Sequence, residues 1–161
     1  MLMITDLLTV ARDGDAAALR RAAPQRFGES PGLIVVWNVS LHCNQRCPHC
    51  YIAAGTAPGP GDLHTDEARR MLDRLAEGGV RAVIFSGGEP LLRSDLAELI
   101  AHATGLGMQA QLSTNGTLLD PALAARLRAA GLRYVGVSID GRAEVNDAYR
   151  DGYREGHSDG S

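Results

Sequence analysis

The chain has 161 residues, 45% of them apolar, and a formal net charge of -3, which suits one domain with a real hydrophobic core. Acids and bases are interspersed rather than blocked, so no charge pattern marks nucleic acid or an anionic membrane surface as a partner. No stretch is long and apolar enough to cross a bilayer, and Leu2 to Val10 lack a basic leader and meet Asp6 early, so a cytoplasmic address is expected.

Residues 1–32 hold an apolar-periodic stretch from Ile4 to about Ala22, then the breakers Pro24, Gly28, Pro31 and Gly32; this predicts an N-terminal helical extension and linker. Leu33 to Trp37 is a short apolar run rich in branched residues, expected to be a strand buried on both faces of a parallel sheet. A loop with all three cysteines follows. From Thr65, a plausible N-cap, Ala68, Met71, Leu72 and Leu75 recur at helical spacing until Gly78 and Gly79. The pattern then repeats. A strand at Ala82 to Phe85 leads through Ser86-Gly87-Gly88-Glu89-Pro90 to a helix with Leu96, Leu99, Ile100 and Ala103 on one face. A strand at Gln109 to Ser113 leads through Thr114-Asn115-Gly116-Thr117 to a helix opened by Asp120-Pro121, an N-cap with proline at the first helical position. A fourth strand, Tyr134 to Ser138, runs into Ile139-Asp140-Gly141.

Strand, loop and helix at this cadence predict an α/β fold of about four βα units with parallel strands, open or curling toward a barrel. The core spans residues 33–141. Residues 142–161 turn polar and glycine-rich and read as a poorly ordered tail. Every polar, glycine-bearing loop follows the end of a strand, and in parallel α/β folds that edge is where ligands bind. Four loops therefore point at one site.

Cys43, Cys47 and Cys50 put three thiols on one of these loops. An odd number at unequal spacing is no disulfide framework, and soft sulfur selects an iron-sulfur cluster, zinc or cuprous copper. A structural zinc needs a fourth protein ligand, which His42 or His49 could supply. Three cysteines on a cubane cluster instead leave one iron open to an exogenous ligand. Gly87 and Gly88 carry no side chain to obstruct a ligand, and Glu89 adds negative charge suited to an ammonium.

The cysteine spacing after the first strand, followed by Gly-Gly-Glu-Pro after the second, resembles the radical S-adenosylmethionine (radical SAM) superfamily over roughly Leu33 to Arg150. The resemblance implies a partial TIM-like barrel in which Cys43, Cys47 and Cys50 hold a [4Fe-4S] cluster whose open iron chelates S-adenosylmethionine. One-electron reduction would then cleave it to a 5'-deoxyadenosyl radical that abstracts hydrogen from substrate. It further implies that Gly87, Gly88, Glu89 and Pro90 line the cofactor and that Ser138 contacts it. Arg150, which otherwise reads as a solvated charge, would pair with its carboxylate. His49 stands where an aromatic residue meets the adenine. Asn115 and Asp140 lie in the loops for ribose or substrate contacts, although both are also ordinary turn formers.

Val35 to Ser40, His49-Cys50-Tyr51, Ser113 to Leu118 and Val137 to Gly141 are similar to the radical SAM proteins of heme d1 and alternative heme biosynthesis, and more broadly to SPASM-type relatives that modify peptides. The implied partners are a tetrapyrrole or peptide substrate and an electron donor such as flavodoxin or ferredoxin. The family barrel has six βα units and this chain supplies four, so a truncated, non-catalytic fragment that binds cluster and cofactor is a further expectation. A second chain would then complete the barrel.

Overall fold

A computed structural model of the chain describes residues 33–150. The helical extension and linker expected over residues 1–32, and the end of the tail, residues 151–161, lie outside the described residues. Strand β1 (Leu33–Asn38) leads through the cysteine loop to helix α1 (Thr65–Glu77). Strand β2 (Val80–Ser86) leads through a 3-10 turn at Pro90–Leu92 to α2 (Leu96–Gly105). Strand β3 (Gln109–Thr114) leads to α3 (Pro121–Ala129), and β4 (Tyr134–Val137) to α4 (Ala143–Arg150). The strands form one parallel sheet in the order β1-β2-β3-β4, the α/β arrangement expected from the cadence of the sequence.

The central strands alternate between two faces. Val83 and Phe85 of β2 and Ala110 and Leu112 of β3 are buried against Ala68 and Leu72 of α1, Leu96, Leu99, Ile100 and Ala103 of α2, and Leu127 of α3. Each fully buried Leu or Phe contributes on the order of 2 kcal/mol from area removed from water. Trp37 of β1 extends this layer, its ring centroid 5.8 Å from that of Phe85. On the other face Val36, Ile84, Gln111 and Tyr134 stand side by side in register.

Three expectations are corrected. Strand β1 is not buried on both faces: Leu33, Ile34 and Val36 are 64, 56 and 59% exposed, because among the described residues β1 pairs only with β2 and helices cover one face of the sheet. Helix α1 is capped by His64 rather than Thr65. The Glu67 carboxylate accepts from the His64 N–H at 2.9 Å, and the Thr65 hydroxyl donates to Asp95 at 2.8 Å. The first part of the polar tail is helical. Tyr149 of α4 packs on His49 of the cysteine loop at 4.8 Å between ring centroids, and Asn146 accepts from the Asp140 N–H; neither tertiary contact is visible in local composition. The Asp120 cap stands as expected, accepting from the Leu123 N–H at 2.7 Å. Among the described residues no helix is long and apolar enough to cross a membrane.

One largely buried ion pair locks the loop side of the sheet. Arg93 donates through Nε and Nη2 to both oxygens of Asp95, at 2.9 and 2.7 Å, and through Nη1 to the carbonyls of Val39 and Leu63. The two side chains are only 11 and 15% exposed. Burial alone would raise the Asp95 carboxyl, but the Arg93 guanidinium and the Thr65 hydroxyl outweigh it and hold the group below its ordinary range. A depressed folded-state pKa stabilises the fold above the unfolded value of about 3.9 and ceases to do so as pH falls through the folded value. Replacing Arg93 with Ala, which strands a buried carboxylate, should cost about 3–5 kcal/mol at neutral pH. For Asp95→Asn, thermal unfolding should show a deficit at pH 7 that narrows below about pH 4; a deficit independent of pH would refute the assignment.

Candidate functional site

The cysteine loop leaves β1 and is pinned to the fold by backbone. The Val39 N–H donates to the Ser86 carbonyl, and Cys43 and Leu41 bond Gly55 in a short parallel bridge. Cys43 is buried, Cys47 and Cys50 are half-buried, and all three are free thiols. The Gln45 N–H reaches the Cys43 sulfur at 3.4 Å. Burial pushes the Cys43 thiol above its ordinary range; the Gln45 N–H opposes this, and the charges of Glu89 and the other two cysteines reinforce it. Burial likewise raises Cys47, partly offset by the Arg150 guanidinium.

The Gly87-Gly88 turn lies back to back with this loop. The Gly88 N–H donates to the Ser40 carbonyl at 2.9 Å and the Glu89 N–H to the His42 carbonyl at 2.8 Å. A Cβ at Gly88 would lie 2.2 Å from the His42 carbonyl oxygen, and one at Gly87 would lie 2.5 Å from that of Ser40. Gly87 also has φ +127°, a conformation that side chains disfavour. Access for a ligand, the reason expected from the sequence, is thus joined by a second: no larger residue lets two backbones approach so closely. Glu89 differs from its expected position beside an ammonium. Its carboxyl is fully buried and accepts from the Leu91 N–H, the Thr114 hydroxyl and the Asn115 N–H at 2.7 to 2.9 Å.

These loops enclose a cavity of about 590 Å³ lined by the three cysteines, His49, Gly87, Gly88, Asn115, Ser138 and Arg150. Six of the nine residues other than cysteine expected here lie on that wall, and Glu89 and Asp140 bond residues of it. Pro90 is buried behind the turn. Asp140 stands behind the wall, its Oδ2 2.5 Å from Arg150 Nε and 3.7 Å from His49 Nε2. Asn115 is largely committed within the protein, donating to Asn44 and accepting from the Thr117 N–H and hydroxyl. The sequence reading missed Gln45, Asn44, Thr117 and Tyr149. The pairings of Asn44 with Thr117 and of Tyr149 with His49 join segments far apart in the chain, which spacing does not encode.

Two observations bear on what the cavity can hold. Gln45 Oε1, in a lining residue, is buried without a hydrogen bond, and such atoms ordinarily find a partner. Further, no three His, Cys, Asp or Glu side chains among the described residues are gathered to hold a single ion. A tetrahedral zinc at about 2.3 Å per sulfur needs tightly gathered thiolates, whereas cysteines that bind separate irons of a cluster stand farther apart. Three thiols on one wall are a soft donor set suited to an iron-sulfur cluster, zinc or cuprous copper.

A family model described as the Radical SAM superfamily matches residues 37–158. The chain is 46% identical over 125 residues to Fe-coproporphyrin III synthase of Methanosarcina barkeri, covering 78% of this chain and 31% of that protein. It is 43% identical over 133 residues to pre-heme d1 synthase of Dinoroseobacter shibae, covering 82% and 33%. The chain therefore spans about a third of the length of the curated relatives it matches. Among solved structures, native anSMEcpe with bound AdoMet superposes with a TM-score of 0.58 at 25% identity, covering 73% of this chain and 34% of that one. The four βα units correspond to part of its barrel.

The close backbone approach makes a direct prediction. Gly88→Ala should destabilise the chain by about 3 kcal/mol or more through overpacking against the cysteine loop, while Gly61→Ala, where a Cβ meets nothing within 4 Å, should leave the melting temperature nearly unchanged. Equal melting temperatures for the two variants would contradict this packing.

Proposed function

Because the chain belongs to the radical SAM superfamily, we propose that Cys43, Cys47 and Cys50 hold a [4Fe-4S] cluster with one iron open to S-adenosylmethionine, and that the chain takes part in making heme-type tetrapyrroles. The observation that carries this reading is the convergence of three thiols, a side-chain-free backbone turn and an arginine on one cavity. When bound, cluster and cofactor supply one-electron cleavage of the sulfonium carbon–sulfur bond.

The protein's own residues bind and orient. Gly87 and Gly88 offer backbone to the methionine moiety without obstruction. Arg150 presents a planar fork of donors, the geometry that suits a carboxylate; Asp140 holds that fork from behind. Ser138 supplies a hydroxyl from the end of β4. The His49 and Tyr149 rings form an aromatic surface for the adenine. The two relatives described above carry Fe-coproporphyrin III and pre-heme d1 in their names, which supports a tetrapyrrole substrate, and the electron comes from a carrier of the flavodoxin or ferredoxin class.

Anaerobic reconstitution followed by dithionite reduction tests this. The wild-type chain is expected to bind iron and sulfide in equal amounts and to release 5'-deoxyadenosine from S-adenosylmethionine, and each Cys→Ala variant at 43, 47 or 50 should lose the iron. Zinc without sulfide, or full iron retention by Cys47→Ala, would overturn the cluster assignment.

A further inference from the structure

Asn44 does not line the cavity. Its side chain points to the loop after β3, where Oδ1 accepts from Asn115 Nδ2 and Nδ2 donates to Thr117 Oγ1, both at 2.8 Å. Thr117 in turn donates to Asn115 Oδ1 at 2.7 Å, so the three side chains form a closed cycle of hydrogen bonds. The loop they grip is held on its other side by Glu89, through the Thr114 hydroxyl and the Asn115 N–H, and Glu89 is joined back to the cysteine loop through the His42 carbonyl. Three loops therefore form a ring, and Asn44 is the side chain of the cysteine loop that closes it.

From this geometry we infer that Asn44 is a positioning residue: it couples the arm of the loop that carries Cys43 to the Asn115 loop, so that the cluster ligands and the opposite wall of the cofactor cavity keep a fixed separation. The inference rests on the cofactor reading above for its consequence, but the coupling itself belongs to the chain. Side-chain amides satisfy both ends of such a contact because each carries a donor and an acceptor. Alanine removes both.

Two measurements test it, one without any cofactor. In the cluster-free chain, hydrogen exchange should quicken about tenfold for Asn44→Ala in peptides covering both residues 43–50 and 114–117, the loss of one or two hydrogen bonds. Peptides of α2 should be unaffected. Thr117→Val, which keeps shape and removes the hydroxyl, should quicken the same two segments, and the double variant should be no faster than Asn44→Ala alone. In the reconstituted protein, Asn44→Ala should retain its iron. The concentration of S-adenosylmethionine that half-shifts the electron paramagnetic resonance spectrum of the reduced cluster should rise about tenfold. Exchange unchanged in Asn44→Ala, or effects of the two variants that simply add, would overturn the coupling. Quickened exchange with no cofactor effect in the wild type would instead count against the cofactor reading and leave the coupling standing.

Discussion

The site depends on the carboxyl of Glu89, which is fully buried. A buried carboxyl group is costly unless its oxygens are satisfied, and here three donors from two different loops satisfy them. The requirement runs both ways. The 3-10 turn must start at Pro90 to offer the Leu91 N–H, and β3 must end at Thr114 to bring its hydroxyl and the next N–H within 3 Å. One side chain thus sets the relative height of two strand ends. The cysteine loop is referred to the same point because the Glu89 N–H donates to the His42 carbonyl.

The glycines make that arrangement possible. Had either carried a Cβ, the turn would stand off from Ser40 and His42, and Glu89 would no longer reach β3 and the cysteine loop together. Gly-Gly-Glu thus acts as one unit: two residues let the backbones touch, and the third joins what has been brought together. Behind it the apolar layer of Phe85, Leu72, Leu99 and Leu112 supplies the rigidity on which loop geometry rests. The Arg93 clamp adds a polar tie between the end of β1 and the starts of α1 and α2.

Much of this was legible beforehand because it is periodic or local. The α2 face of Leu96, Leu99, Ile100 and Ala103 follows from helical spacing, and the Asp120-Pro121 start from cap chemistry. Placement of the loops at one edge follows from the alternation of strands and helices. What was not legible depends on contacts between distant residues. An apolar run like Leu33 to Trp37 reads the same whether helices cover one face of the sheet or two. The α4 segment is polar, and it meets the fold through Tyr149 on His49 and through Arg150 with Asp140. Asn44 and Asn115 each look like turn formers; only their pairing makes them a brace.

The thiols show why such bracing matters. Burial holds Cys43 and Cys47 in their protonated form more firmly than an exposed cysteine, and a protonated thiol is a poor nucleophile and a poor ligand. A metal that binds there must displace those protons, so its affinity is offset by the cost of forming thiolates in a partly dry loop. That cost is smallest where N–H groups and cations already point at sulfur, as the Gln45 N–H does at Cys43 and the Arg150 charge does near Cys47. The Gln45 N–H stays aimed, and the Arg150 charge stays near, only while the cysteine loop and α4 keep their places. The hydrogen-bonded ring and the His49–Tyr149 contact therefore bear on the ligating power of the cysteines as well as on the shape of the cavity.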